Sequence, residues 1–105
     1  MDPSPSRRIE FNSILVGVLG SNNVYYQPPK DSVMQYPCIV YELDDAHRRA
    51  ADNGAYSWIP RYQVTFLRHE VDSPVSQKLA MLPTSSFSRH FATSGVNHDV
   101  FAIYH

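Results

Sequence analysis

One ten-residue stretch, residues 36–45, constrains the fold more than any other part of this chain. It reads Tyr-Pro-Cys-Ile-Val-Tyr-Glu-Leu-Asp-Asp, and its β-branched and aromatic side chains suit a pleated, half-buried surface. Alternate side chains of a strand fall on opposite faces, and both faces are largely apolar here. The stretch therefore predicts a central strand rather than an edge strand. Pro37 is tolerated at its start because the first residue need not donate to the ladder.

The remaining sequence predicts two helices and further strands around this one. Apolar residues recur at helical spacing from two N-terminal Asp-Pro and Ser-Pro pairs to about Leu19, and Gly20 is expected to end this helix. A second helix is expected to be capped by Asp72 or Ser73 and to end before Pro83. Pro60 is expected to mark an edge or a bulge in its strand. The predicted strands, besides the first, are 24–27 at a sheet edge or flank, 56–68, 87–92 and 98–105.

The order of these elements is α-β-β-β-α-β-β. Strands that follow one another mostly as hairpins predict an α+β fold. We expect a mostly antiparallel sheet of four to five strands with two helices packed on one face. The 105 residues are expected to form a single domain, residues 1–105.

Charge and cysteine content argue against several classes of protein. The net charge of −1 disfavours a general nucleic-acid binder, since such proteins cluster basic residues. The single cysteine, Cys38, excludes an internal disulfide and a cysteine-only zinc site, and its place in a predicted buried strand indicates inert packing. No apolar run approaches the roughly 20 residues of a membrane helix. We expect a soluble protein made in a reducing cytoplasm.

The sequence contains no catalytic or metal-binding motif. Its five histidines lack the spacing of zinc sites. The acidic pair Asp44 and Asp45 has no third carboxylate in a fixed pattern, so solvation is favoured over cation binding or acid–base chemistry. Neither a glycine-rich phosphate loop nor a nucleophile elbow occurs. We therefore expect no enzyme activity, no cofactor and no metal ion.

The polar segment 44–55 and the aromatic content indicate a surface that binds another protein. The segment is either a flexible hairpin tip or a loop that contacts a partner. Tyr and Trp are enriched where surfaces are buried between chains, and this chain has more of them than a small core needs. The aromatic candidates are Tyr25, Tyr26, Tyr36, Tyr41, Tyr56, Trp58, Tyr62 and Tyr104. The candidate interface residues at the segment are Asp44, Asp45, His47, Arg48, Arg49, Asn53, Tyr56 and Trp58.

Two stretches carry a resemblance to a known family. They are Asn-Val-Tyr-Tyr-Gln-Pro-Pro at 23–29 and the ten residues at 36–45. Downstream, the same pattern continues with Arg-Tyr-Gln-Val-Thr at 61–65, Asp-Ser at 72–73, Leu-Pro at 82–83, Phe-Ser-Arg at 87–89 and Asn-His-Asp-Val-Phe at 97–101. Together with the first helix, these stretches resemble the small tail-terminator, or tail-completion, proteins of long-tailed bacteriophages. The similarity covers nearly the whole chain from about Phe11 onward.

The resemblance implies a structural role in the virion, without catalysis. It implies that six copies close a homo-hexameric ring on the head-proximal end of the tail tube, in the neck region. Such a ring stops the addition of tail tube protein and joins the tail to a head-completion or connector protein. DNA passes through its lumen without sequence-specific binding. We expect segment 44–55 to contact the tube or a neighbouring subunit, with Tyr56 and Trp58 at its base as anchors.

Three alternatives remain open from the sequence. The first is a head-completion or connector adaptor, which also forms a ring in the neck. The second is a small metal-dependent hydrolase, which would use His69, His98, Asp44 or Asp99. The third is a monomeric binding module.

Overall fold

A computed structural model of the protein describes residues 5–50 and 56–105, and the side-chain surroundings of residues 7–46 and 59–105. Its elements, in chain order, are α1 (Pro5–Leu19), β1 (Val24–Tyr26), β2 (Cys38–Ala50), β3 (Tyr56–Arg68), α2 (Pro74–Ala80), β4 (Ser85–Thr93) and β5 (Val96–Tyr104). The predicted α+β fold and the predicted order of elements are confirmed. No helix within the described ranges has the length and apolar character to cross a membrane.

The five strands form one mixed sheet in the order β1-β2-β3-β5-β4. β1 runs parallel to β2, and every other neighbouring pair is antiparallel. β2 is an interior strand, as its two apolar faces predict, although β3 occupies the middle position. The short β1 lies at one edge of the sheet, also as predicted, and β4 lies at the other.

Both helices pack on one face of the sheet, called the helix face. Helix α1 buries Phe11 and Leu15, whose spacing puts them on one side of the helix. The ring of Phe11 stacks on Tyr62 at a centroid distance of 4.9 Å and meets the ring of Tyr41 edge-on at 5.6 Å. The Tyr41 hydroxyl donates to Oδ1 of Asn12 at 2.7 Å, so this buried phenol has a partner. The other buried side chains of this core are Ile39, Val64, Phe66, Leu79, Phe101 and Ile103.

The helix ends follow the signals in the sequence. After α1, Gly20 takes a φ of 83°, and its N–H donates to the carbonyl of Val16 at 2.8 Å. Glycine tolerates this left-handed conformation because it has no Cβ atom. At the start of α2, the hydroxyl of Ser73 accepts from the N–H of Val75 at 3.3 Å and caps a helix whose first residue is a proline. This second helix ends slightly short of the stop predicted at Pro83.

The predicted loop at 44–55 is wrong over its first seven residues, because β2 continues to Ala50. A β-bulge between Leu43 and Asp45 shifts the register, and the antiparallel ladder with β3 then resumes. The polar sequence is compatible with strand structure because a ribbon that extends beyond the sheet has no core face to fill. Residues 51–55, the rest of this segment, lie outside the described residues.

Residues 45–50 of β2 and 56–60 of β3 form this two-stranded ribbon, called the arm, since neither β1 nor β5 reaches so far. The edge expected at Pro60 is confirmed, since β5 pairs with β3 no farther than Arg61 and no described strand pairs with this side of the arm. The bulge lies in the opposite strand, β2. The carbonyl of Pro60 accepts from the N–H of His105 at 3.1 Å. In an antiparallel ladder the N–H and C=O of one residue point toward the same neighbouring strand. The N–H that Pro60 lacks would therefore point toward the β5 side, just beyond the last residue of β5. The ladder therefore loses no pairing at the proline.

A second, smaller cluster lies on the opposite face of the sheet, called the open face. It joins Cys38, Leu67 and Val96, each at most 8% exposed, and Met34 packs against it. Burial raises the pKa of the Cys38 thiol to about 11. Since the thiolate is the reactive form of cysteine, a buried thiol with this pKa is unreactive at neutral pH, in agreement with the packing role expected from the sequence.

The position of Phe11 between α1 and two tyrosine rings makes it a test of the core. Phe11→Ala is expected to lower the free energy of unfolding by about 3–5 kcal/mol, because a buried ring is lost and a cavity remains. Urea unfolding followed by circular dichroism measures the change. Ile9→Ala is the matched control on the same helix, since Ile9 is 56% exposed, and it should change stability by less than about 0.5 kcal/mol. Equal losses in the two variants would contradict the packing of α1.

Candidate assembly surfaces

Two acidic residues and one arginine lie at the root of the arm, beside the bulge in β2. Nε of Arg61 donates to Oδ1 of Asp44 at 3.0 Å, and its Nη2 lies 3.6 Å from Oδ2 of Asp45. The hydrogen bond to Asp44 is the largest of the effects that raise the pKa of Arg61 above its usual value. All three side chains are partly exposed, so these pairs contribute little to stability and remain accessible to another molecule.

The other predicted interface residues lie farther out on the arm. In the described strands they are His47, Arg48, Arg49, Tyr56 and Trp58. The register makes Arg48 the partner of Trp58 across the ribbon. Asn53 lies outside the described residues. The fold thus brings the predicted residues that it describes into one hairpin, at and beyond the bulge.

The side of β2 that faces away from β3 is covered only along its first part. β1 pairs with β2 no farther than Tyr41. Just beyond this pair, the N–H of Gln27 donates to the Tyr41 carbonyl at 2.9 Å, and Oε1 of Gln27 accepts from the N–H of Leu43 at 3.2 Å. From residue 44 to residue 50, no strand of the described ranges pairs with this side. This uncovered stretch is called the β2 edge.

At the other end of the sheet, β4 pairs with β5 alone, and within the described part of the molecule its outer side, called the β4 edge, has no partner strand. Eight of its nine residues are exposed. Phe87 and Phe91 are 57% and 39% exposed. A β-bulge between Phe87 and Arg89 shifts the register. Phe87 therefore lies on the helix face beside Phe101, whereas Phe91 lies on the open face, stacked on His98 at 4.4 Å.

The aromatic side chains predicted for an interface are divided between core and surface. Interface use is wrong for Tyr41 and Tyr62, which are 0% and 2% exposed and form the centre of the core. Tyr26 packs against the same core. Tyr36 is 40% exposed. The remaining candidates are Tyr25 and Tyr104, which are half-buried, and Tyr56 and Trp58, whose side chains lie outside the described set.

Phe87 and Phe91 were not among the sequence candidates. A signal was nevertheless present, because the two rings flank a Ser-Arg-His run in a strand with few other apolar residues. Two large apolar side chains in an otherwise polar strand indicate contact with something outside the core. The sequence could not show that this strand lies at an edge, since strand order depends on long-range pairing.

A buried ionic network lies under α2. Asp99 and Arg68 are 4% and 7% exposed. Nε and Nη2 of Arg68 donate to Oδ2 of Asp99 at 3.1 and 2.9 Å, and the Ser76 hydroxyl donates to the same oxygen at 2.5 Å. Nδ1 of His90 lies 2.6 Å from Oδ1. Nη1 of Arg68 donates to two carbonyls of the following turn at 2.6 Å each. The network joins three strands and one helix.

Opposing effects act on the pKa of Asp99. Burial would raise it, but the hydrogen bonds from Ser76, His90 and Arg68, together with the charge of Arg68, outweigh burial and lower the pKa below its usual value. The carboxylate is therefore ionised at neutral pH. Since protein donors occupy both of its oxygens, the arrangement is suited to holding α2 and β4 in place.

The remaining described histidines make separate local contacts. Nδ1 of His69 lies 3.2 Å from the carbonyl of Gly95, and Nε2 of His105 lies 2.8 Å from Oε1 of Glu10. In the parts of the chain that the structure describes, no group of three or more His, Cys, Asp or Glu residues is placed to hold a metal ion. The fold does not gather the residues considered for a hydrolase, which are His69, His98, Asp44 and Asp99.

Removing the charge of Asp99 tests the structural role of the network. Asp99→Asn leaves Arg68 buried without an anionic partner, so the free energy of unfolding is expected to fall by about 3–5 kcal/mol. Chemical denaturation measures the loss. Asp72→Asn, in the exposed turn before α2, is the control and should change stability by less than about 0.5 kcal/mol. A loss as small as the control's would contradict this role.

The lowered pKa of Asp99 also predicts a dependence of stability on pH. A carboxylate whose folded pKa lies below its unfolded value of about 3.9 stabilises the fold above that value, and this contribution is lost as pH falls through the folded pKa. Below about pH 4, the unfolding free energy of the native protein should therefore fall more steeply with pH than that of Asp99→Asn. Urea titrations at a series of pH values measure both slopes. Parallel slopes would contradict the assignment.

The β2 edge and the β4 edge thus lie on opposite sides of one sheet, and an arm extends beyond it. A subunit with such surfaces is able to contact two other chains at once, one on each side. Comparison of the chain with family models, with curated proteins and with solved structures finds no match.

Proposed function

We propose that the protein is a tail terminator of a long-tailed bacteriophage. In this role six copies close a ring on the head-proximal end of the tail tube, stop the addition of tube protein, and offer a joining surface to the head-completion or connector protein of the neck. The resemblance in sequence at 23–29 and 36–45 supports the proposal. A net charge of −1 suits a lumen through which DNA slides without being retained.

The observation that carries the proposal is the pair of uncovered edges on opposite sides of the sheet. A ring is built from head-to-tail contacts, in which each subunit uses two different patches and rotation closes the circle. The β2 edge and the β4 edge are two different patches of this kind. An exposed edge strand makes a monomeric protein prone to aggregation, and the two exposed phenylalanines of β4 add to this tendency. Coverage by neighbouring subunits removes it.

The arm carries most of the β2 edge and extends past the rest of the sheet. Its root carries the exposed carboxylates of Asp44 and Asp45, and its strands extend past the last pairs made by β1 and β5. We assign the arm to contact with the tail tube or with a neighbouring subunit. This assignment agrees with the segment expected from the sequence, although the segment is a strand ribbon over most of its length.

Deletion of the gene from the phage genome tests the proposed function. Negative-stain images of the mutant are expected to show overlong, uncapped tails without heads, because nothing halts tube growth. Supplying the intact gene in trans should restore tails of the set length. Normal tails beside heads that leak DNA would instead identify a connector adaptor, the alternative ring protein of the neck.

The same complementation assay tests the arm. A gene that lacks codons 48–53 should fail to restore head-competent tails of the set length. Met81→Ala is the control, since Met81 directly follows α2, is 77% exposed and belongs to neither edge, and it should complement fully. Normal tails from the shortened gene would exclude the arm from the terminator contact.

A further inference from the structure

The β4 edge carries basic residues and no acidic one. Arg89 lies at the middle of the strand, with its guanidinium 5.7 Å from the centroid of the Phe91 ring. Within the described residues, none of the ion pairs includes Arg89. Its neighbour His90 is directed to the buried Asp99 instead. The exposed charge of this edge is therefore positive.

The β2 edge begins with acidic residues. Asp44 and Asp45 follow the bulge, and Arg61 offsets only one of their two charges. Oδ1 of Asp45 also accepts from the N–H of Ala46 at 2.8 Å, next to the uncovered backbone. Charged side chains at an edge strand disfavour non-specific pairing with strands of other molecules. A strand that carries an arginine is the partner that these carboxylates favour.

Arg89 and Asp45 belong to the same face of the sheet. Arg89 is the register partner of Val100 on β5. Asp45 is the partner of Arg61, which in turn is the partner of Tyr104 on β5. Val100 and Tyr104 are four positions apart in β5, and alternate side chains of a strand share a face, so both lie on the open face.

Strand direction determines how the two edges could meet. β2 and β4 run in opposite directions within the sheet. When the β4 edge of one copy is placed beside the β2 edge of a second copy in the same orientation, the two strands are antiparallel. The open faces of the two copies then lie on the same side of the joint, which brings the arginine and the carboxylate together.

We propose that the β4 edge of one copy pairs in antiparallel fashion with the β2 edge of the next, with Arg89 opposite Asp45, so that the sheet continues from subunit to subunit. The inference rests on the ring of the proposed function and specifies its contact. The uncovered part of β2 spans residues 44–50, which is about 23 Å of strand, and in this register residues 85–90 of β4 lie along it.

A second β4 strand is a poorer occupant of the β4 edge. Antiparallel pairing of two β4 strands about their midpoint puts Arg89 opposite the same residue of the second copy. Like charges directly opposite each other destabilise a sheet. Such a contact is also isologous, so it ends at a dimer and leaves the acidic β2 edge uncovered.

Paired cysteines test the contact in the full chain. Ala46 follows Asp45 and Ser88 precedes Arg89, so the two positions lie close to each other across the proposed contact. The native Cys38 is 0% exposed and does not compete. The double variant Ala46→Cys/Ser88→Cys, concentrated and oxidised, is expected to give a ladder of cross-linked species up to six subunits on a non-reducing gel. The control is Ser88→Cys/Val71→Cys, because Val71 is 84% exposed and belongs to neither edge. We expect at least about tenfold more cross-linked product from the test pair than from this control.

Single variants separate the two possible pairings. A mixture of Ala46→Cys and Ser88→Cys proteins should give one cross-linked dimer and no ladder, and Ser88→Cys alone should give no dimer. A dimer from Ser88→Cys alone would show pairing between two β4 strands and overturn the inference. A double variant that cross-links no more than the control would overturn it as well.

Charge exchange tests the predicted partners. Arg89→Glu is expected to raise the protein concentration at half-assembly about tenfold in sedimentation measurements, and Asp45→Arg should act in the same direction. Combining the two changes restores the attraction, so assembly should return close to that of the native protein. Absence of rescue would reject Arg89 and Asp45 as partners.

Failure of this inference and failure of the proposed function give different results. A cross-linked ladder together with tails of normal length in the gene-deletion mutant would support the edge contact and reject the terminator function. Overlong tails in that mutant, with no cross-linking of the double variant, would support the terminator function and reject the edge contact.

Discussion

The antiparallel ladder between β2 and β3 is the constraint on which the rest of the structure depends. On the helix face it sets Tyr41 beside Tyr62 and Val64, and these side chains form the surface on which Phe11 of α1 packs. Past the bulge, the same ladder continues as the arm. The core and the β2 edge are therefore two ends of one hairpin, and the register shift after Leu43 separates the buried end from the exposed end.

The buried ionic network around Asp99 helps to hold β4 in position at the other side of the sheet. No residue of β4 is fully buried, so apolar packing alone does not fix the strand. Its ladder with β5, the contact of Phe87 with Phe101 and the contact of His90 with Asp99 hold it in position. A buried ion pair adds little net stability compared with apolar groups, but it places its partners in one defined geometry. Buried polar contacts therefore help to fix the position of the exposed β4 edge.

Local signals in the sequence were sufficient for the element types and for several of their ends. Gly20 and Ser73 mark helix ends because their conformational and capping preferences depend only on neighbouring residues. Strand order and the two bulges could not be predicted in this way, since they arise from pairing between distant segments. The assignment of Tyr41 to an interface failed for the same reason. An aromatic residue count does not reveal which face of a strand a helix will cover, and the exposed position of Phe91 became evident only with the sheet order.

Closure of the proposed ring gives a physical reason why no further subunits would add to it. In the proposed ring each β4 edge is covered by the β2 edge of the next copy, so a closed circle leaves neither of these two edges free to recruit another subunit. The contact that builds the ring therefore also limits it. The same two edges in a sheet whose rotation did not close would generate an open filament. The angle between neighbouring subunits, set by the twist of the sheet and by its two bulges, would then decide between a cap and a fibre.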